Sequence, residues 1–214
     1  MSKGVSAPWG LLARVVPILV LAACGKDDPQ VATTFVATSG SSVTGIAGAP
    51  ISPAPTVTIK DQHGRGFGNV SVKWTTSAGR LTNDSSKTDA NGVASPGGWT
   101  LGPISGVQTL TATVVGASTQ PVVITATVAP SSVSALNVIN TAPSGVVGSE
   151  VATPPAVRAV DQYGNAVPNV AVTFAVVSGA GTITGAQQVT NASGVATVGS
   201  WKLGTSAGTQ SLRA

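Results

Sequence analysis

The sequence predicts an all-β protein built as two tandem sandwiches, and three observations carry that expectation. Of 214 residues, 26 are Gly and 14 are Pro, which favour turns or cannot donate to a backbone ladder, while 42% are hydrophobic and rich in Val and Ala. Long helices are thereby disfavoured. Apolar residues recur with period two, as in half-buried strands, rather than with the helical period of 3.6. The chain also matches itself at a shift near 100 residues, a spacing too long for a solenoid unit and suited to a whole small domain.

Taken in order, the first element is a leader. Lys3 and Arg14 occur without any acid and precede the apolar run from Val15 to Ala23, the n-region and h-region of a signal peptide. The run is broken by Pro17 and falls short of the roughly 20 apolar residues that a spanning helix needs. It ends in Leu21-Ala22-Ala23-Cys24-Gly25, which resembles the lipobox of bacterial lipoproteins. That resemblance implies removal of residues 1–23 and diacylglycerol on the sulfur of Cys24, the only cysteine, with residues 24–30 as a lipidated tether. Each buried methylene contributes about 0.8 kcal/mol and stable anchoring takes at least two chains, so the modification would hold the protein on a membrane. Gly25 in place of an acidic residue points, within the same resemblance, to the outer membrane or cell surface.

Charge excludes several function classes. Only 8% of residues are charged, with one His, which leaves few groups for acid-base or metal chemistry. The formal net charge of +4 falls to +2 once Lys3 and Arg14 leave, and the remaining basic residues are scattered singly. A nucleic-acid footprint is therefore lacking.

The repeat organises the rest. Asp61-Gln62-His63-Gly64 matches Asp161-Gln162-Tyr163-Gly164, and Asn69-Val70-Ser71-Val72-Lys73-Trp74 matches Asn169-Val170-Ala171-Val172-Thr173-Phe174, at a shift of 100. Asp89-Ala90-Asn91-Gly92-Val93-Ala94 matches Asn191-Ala192-Ser193-Gly194-Val195-Ala196 at a shift of 102, so two residues are inserted in between. Two domains follow, 31–129 and 133–214, with a linker at 130–132. Val70, Val72 and Trp74 share one strand face, as do Val170, Val172 and Phe174. Further β-branched runs at 56–59, 110–114 and 122–128 are bounded by Gly or Pro, giving seven short strands in the first copy. His63-Gly64, Asn91-Gly92 and Gly164-Asn165 supply turns. An immunoglobulin-like sandwich is the economical packing for such a unit.

The succession from Val160 to Phe174, followed by Thr190-Asn191-Ala192-Ser193-Gly194-Val195-Ala196 and Gly208, resembles the group 1 bacterial immunoglobulin-like domain of invasin- and intimin-type surface proteins. The first copy has the same skeleton. The resemblance covers nearly the whole chain after the leader and implies a fold and a spacer role, while specifying no ligand. Gly106-Val107-Gln108-Thr109-Leu110-Thr111-Ala112 aligns with Gly208-Thr209-Gln210-Ser211-Leu212-Arg213-Ala214, so the second copy is expected to lack its last strand.

Candidate chemistry is sparse. Gly204-Thr205-Ser206-Ala207-Gly208 matches the G-x-S-x-G pattern, but it joins two expected strands rather than a strand and a helix. Asp61, Asp84, Asp89 and Asp161 lie in turns without the converging carboxylates calcium needs, so turn closure is their expected role. Trp74, Trp99 and Trp201 suit a core, whereas Phe67 is the aromatic expected to be exposed and able to make a weak ligand contact. No catalytic, metal or cofactor residue is assigned, and no enzyme is expected. The reading is a cell-envelope lipoprotein whose repeats form a surface stalk or an adhesion module with a protein or glycan partner. The alternatives are the accessory arm of a longer surface enzyme and a glycan-binding module.

Overall fold

The computed structural model describes residues 29–117, 119–140 and 143–214, all as strands, turns and loops without a helix. The leader and Cys24 lie outside the described residues. The first copy contains β1 (Ala32–Ala37), β2 (Ser42–Ile46), β3 (Val57–Asp61), β4 (Ser71–Thr76), β5 (Arg80–Leu81), β6 (Ser85–Lys87), β7 (Val93–Ala94), β8 (Trp99–Thr100), β9 (Gly106–Val114) and β10 (Val122–Ala129). They form a three-stranded sheet ordered β1-β3-β7, a five-stranded sheet ordered β2-β10-β9-β4-β6, and the small ribbon β5-β8. The two larger sheets bury alternate residues against each other. Val57 and Ile59 of β3 meet Val72 and Trp74 of β4, Leu110 and Ala112 of β9, and Ile124 and Ala126 of β10, in one cluster with Trp99. Full burial of a side chain such as Leu110 or Ile124 stabilises by about 1.5–3 kcal/mol.

The first strand serves both sheets. β1 pairs antiparallel with β3, the chain turns through Ser39-Gly40-Ser41, and β2 then runs parallel to β10. That switch, with antiparallel neighbours everywhere else in the two sheets, is an immunoglobulin-like arrangement. Ten strands form where seven are expected. One extra comes from the division of the first strand. Others come from residues 80–100, where Pro96 has no amide to donate and the chain breaks into pieces of two or three residues.

The second copy contains β11 (Val133–Val138), β12 (Ala156–Asp161), β13 (Ala171–Thr173), β14 (Ala175–Ser178), β15 (Thr182–Thr184), β16 (Gln187–Val189), β17 (Val195–Thr197), β18 (Ser200–Lys202) and β19 (Ser211–Arg213). The sheet β11-β12-β17 repeats β1-β3-β7, and β15-β18 repeats β5-β8. The two-residue insertion falls where Phe174 leads into β15, since residues 75–79 of the first copy correspond to 175–181. Equivalent bonds on either side locate it: Trp74 N–H donates to Asp84 O and Phe174 N–H to Ala186 O, both at 2.7 Å.

Among the described residues this sandwich shows no counterpart of β10. β19 pairs with β14 alone, and residues 143–146, which correspond to the end of β2, have no strand to join. β11 is exposed along its whole length, whereas Phe35 and Ala37 of β1 pack on the core. The core cluster of this copy comprises Val157, Val172, Phe174, Ala196 and Val198.

Candidate functional site

The tryptophans are interior, with Trp74 at 1%, Trp99 at 0% and Trp201 at 4% exposure. Phe67 corrects the expectation made for it. Its N–H donates to Ile59 O at 3.0 Å and its carbonyl accepts Thr88 Oγ1 at 2.6 Å, which ties the loop down and places the ring in the core at 7% exposure. An aromatic held there offers no ligand a face. Ser206 lies in the loop between β18 and β19, where its carbonyl accepts Gln210 Nε2 at 3.4 Å. No group of three or more His, Cys, Asp or Glu side chains is placed to hold a metal among the described residues.

The aspartates close turns. Asp61 Oδ1 accepts the N–H groups of His63 and Arg65 at 2.9 and 2.8 Å, and Asp161 Oδ1 accepts those of Tyr163 and Asn165, both at 2.9 Å. Gly64 and Gly164 take φ of 75° and 84° in these turns, which a side chain would strain. Asp89 and Asn191 repeat the device, each accepting two backbone N–H groups. Asp84 uses only its carbonyl, for Trp74.

Equivalent turns then do different work. In the first copy Arg65 folds back on Asp61, Nε to Oδ2 at 3.4 Å, and Gln30 Nε2 donates to the same oxygen at 3.0 Å. Gln62 holds the preceding segment through Val31 N–H and Pro29 O. In the second copy Asn165 reaches into the first. Its Nδ2 donates to Pro103 O at 2.7 Å and to Asp161 Oδ2 at 2.9 Å, while its Oδ1 accepts Ser105 N–H at 2.9 Å. The linker joins in, as Ser131 N–H donates to Asp161 Oδ2 at 2.9 Å. Tyr163 lies over Gly48, where any Cβ would overlap the phenol.

Pro103 and Ser105 are presented by a loop that Gln108 shapes. Its Oε1 accepts Gly102 N–H at 2.8 Å and its Nε2 donates to Ile104 O at 2.8 Å, with the side chain 3% exposed. Gly48 N–H donates to Gly102 O at 3.1 Å, so the seat for Tyr163 and the acceptor for Asn165 are one piece. The Asp161 carboxyl is buried, which raises its pKa, yet donors from Asn165, Ser131 and Tyr163 outweigh burial and bring it to about 2. Burial likewise raises Asp61, and the donors of Arg65, Gln30 and His63 with the Arg65 charge carry it below the ordinary 3.8.

Sequence reasoning did not single out Asn165, Tyr163, Gly48 or Gln108 as a joint. The available signal was the variation inside an otherwise repeated turn, Arg65 against Asn165 and His63 against Tyr163.

No protein-family model matches the chain, and no curated protein does. Solved structures are similar to it. The Yersinia pseudotuberculosis adhesin InvE is 24% identical with a TM-score of 0.39, over 80% of this chain and 51% of InvE. The D00-D0 domain of intimin is 22% identical with a TM-score of 0.41, over 79% of this chain and 86% of that one. The Escherichia coli adhesin FdeC is 20% identical with a TM-score of 0.44, over 85% of this chain and 59% of FdeC. The chain thus spans about half the length of InvE.

Proposed function

We propose that the protein is an extracytoplasmic lipoprotein in which lipids on Cys24 hold one end at the envelope, probing outward through two sandwich domains, 31–129 and 133–214, set in series. The carrying observation is the joint. Asn165 spends all of its side-chain hydrogen bonds on Pro103, Ser105 and Asp161, and such a buried polar network favours one orientation over a loose tether. A spacer needs that property, because a freely hinged linker would let the distal domain fold back. Its work is mechanical: it sets a distance from the membrane for whatever surface contact is made, with no reaction assigned. The motif resemblance to group 1 bacterial immunoglobulin-like domains supports the same role. Phe67, the residue named for a weak ligand contact, is buried at 7% exposure.

The test is metabolic labelling of the full chain with radiolabelled palmitate, followed by membrane fractionation. Label and membrane association are expected, both lost in Cys24→Ala. Unlabelled protein that fractionates with soluble components would overturn the anchoring.

A further inference from the structure

The loop that receives Asn165 and Tyr163 has a twin in the second copy, and nothing described occupies it. Gly148 N–H donates to Gly204 O at 3.1 Å, as Gly48 N–H does to Gly102 O. Leu203 N–H donates to Ser149 O and Val151 N–H to Trp201 O, both at 2.9 Å, repeating Leu101 to Ala49 and Ile51 to Trp99. Gln210 takes the place of Gln108. Its Oε1 accepts Gly204 N–H at 2.7 Å, and its Nε2 faces Gly204 O and Ser206 O, each at 3.4 Å. At the shift of 102, Thr205 O and Ala207 N–H stand where Pro103 O and Ser105 N–H bond Asn165. Both residues are exposed, and neither group has a bonding partner among the described residues. Gly148 has φ of 73°, close to the 76° of Gly48. Where Tyr163 covers Gly48, the space a Cβ on Gly148 would enter is open to 4 Å among the described residues, apart from the adjoining chain.

We infer that Gly148 and the loop from Leu203 to Ala207 form a preorganised socket for the Asp-Gln-Tyr-Gly-Asn turn of a further sandwich of this repeat type. In that seat the incoming Asn side chain donates to Thr205 O and accepts Ala207 N–H, and the incoming Tyr ring covers Gly148. The occupant follows from the first copy, whose corresponding loop already holds that turn. The other end of the chain does not offer the same contact. In the first copy the turn ends in Arg65, which is committed to Asp61, while Gln62 is committed to Pro29 and Val31. Growth of the array is therefore directional, from the first copy through the second. This deepens the spacer reading and rests on it for its purpose, though the geometry stands apart from lipid anchoring.

The test extends the full chain. Because Ala112 aligns with Ala214, a copy of residues 113–214 appended after Ala214 continues the repeat in register and places a second Asp-Gln-Tyr-Gly-Asn turn opposite the socket. Nitrogen-15 relaxation and residual dipolar couplings then report whether the repeats tumble together. One alignment tensor is expected for all three, with the same rotation across the new joint as across the native one. Alanine in place of the Asn and Tyr of the appended turn leaves the second copy untouched and should release only the third. A third repeat that folds but tumbles independently in the unaltered extension, while the first two remain coupled, would overturn the inference. So would amide shifts at Thr205 to Ala207 that move with protein concentration in the 214-residue chain, since a second copy would then hold the socket. Neither result touches palmitate labelling, so failure here and failure of the anchoring are distinguishable.

Discussion

The first and second copies share a turn, a buried Thr and a Gln-shaped loop, yet the sheets described around them differ in extent. Thr88 Oγ1 bridges Phe67 O and Val70 N–H, and Thr190 Oγ1 bridges Val167 O and Val170 N–H, at distances between 2.6 and 2.9 Å. Those local devices survive intact. What differs among the described residues is the extent of the second sheet. β9 runs from Gly106 to Val114 between β4 and β10, whereas β19 covers only Ser211–Arg213 beside β14. The turns close within four residues and the Thr bridges span 18–23, whereas a sandwich core is satisfied only when both sheets are covered.

The largest expected effect separates the two cores directly. Leu110 and Leu212 are equivalent, but the first is fully buried and the second only half-buried. Leu110→Ala should cost about 2–5 kcal/mol of its copy's stability, and Leu212→Ala less than about 2 kcal/mol, read from amide hydrogen exchange in the full chain. Equal losses would break the comparison.

Next comes acid. The Asp161 pKa is depressed in the folded protein, so its contribution is complete above the ordinary value of 3.8 and is lost as pH falls through about 2. Asp161→Asn should destabilise the second copy by about 1.5–3 kcal/mol at pH 7, the range for hydrogen bonds to a charged group. The gap to the unaltered chain should shrink between pH 4 and pH 2; a gap independent of pH would show that the carboxylate charge contributes nothing.

The smallest effect concerns one N–H. Trp201 Nε1 is buried without a hydrogen-bond partner among the described residues, while its counterpart Trp99 Nε1 faces Ala78 O at 3.4 Å. Leaving a buried donor unpaired costs about 1–3 kcal/mol, so Trp201→Phe should be milder than Trp99→Phe by about 1 kcal/mol in thermal unfolding. The reverse order would mean that the indole of Trp201 finds a partner in solution.

Much of this architecture was legible beforehand. Alternation in Val70-Ser71-Val72-Lys73-Trp74 assigned the faces of β4, since a strand cannot turn one side chain without turning its neighbours, and Ser71 and Lys73 are indeed exposed. Matching Asp-Gln-x-Gly turns revealed the duplication. Phe67 was misjudged because a Gly-flanked aromatic has no period to read, and its burial depends on Thr88 and Ile59, each from a different strand or loop. The joint escaped for a related reason: Asn165 and Pro103 are 62 residues apart, and no local pattern links them.

By itself the sequence determined the class of fold, the duplication and the strand faces, because period, turn chemistry and β-branched content act between near neighbours. Only the tertiary structure decided that Asn165 serves the neighbouring copy while Arg65 serves its own turn. Both residues occupy the same position of the same turn, and their different roles arise from what lies opposite: a loop offering a bare carbonyl and amide in one case, and the chain's own Gln30 and Pro29 in the other.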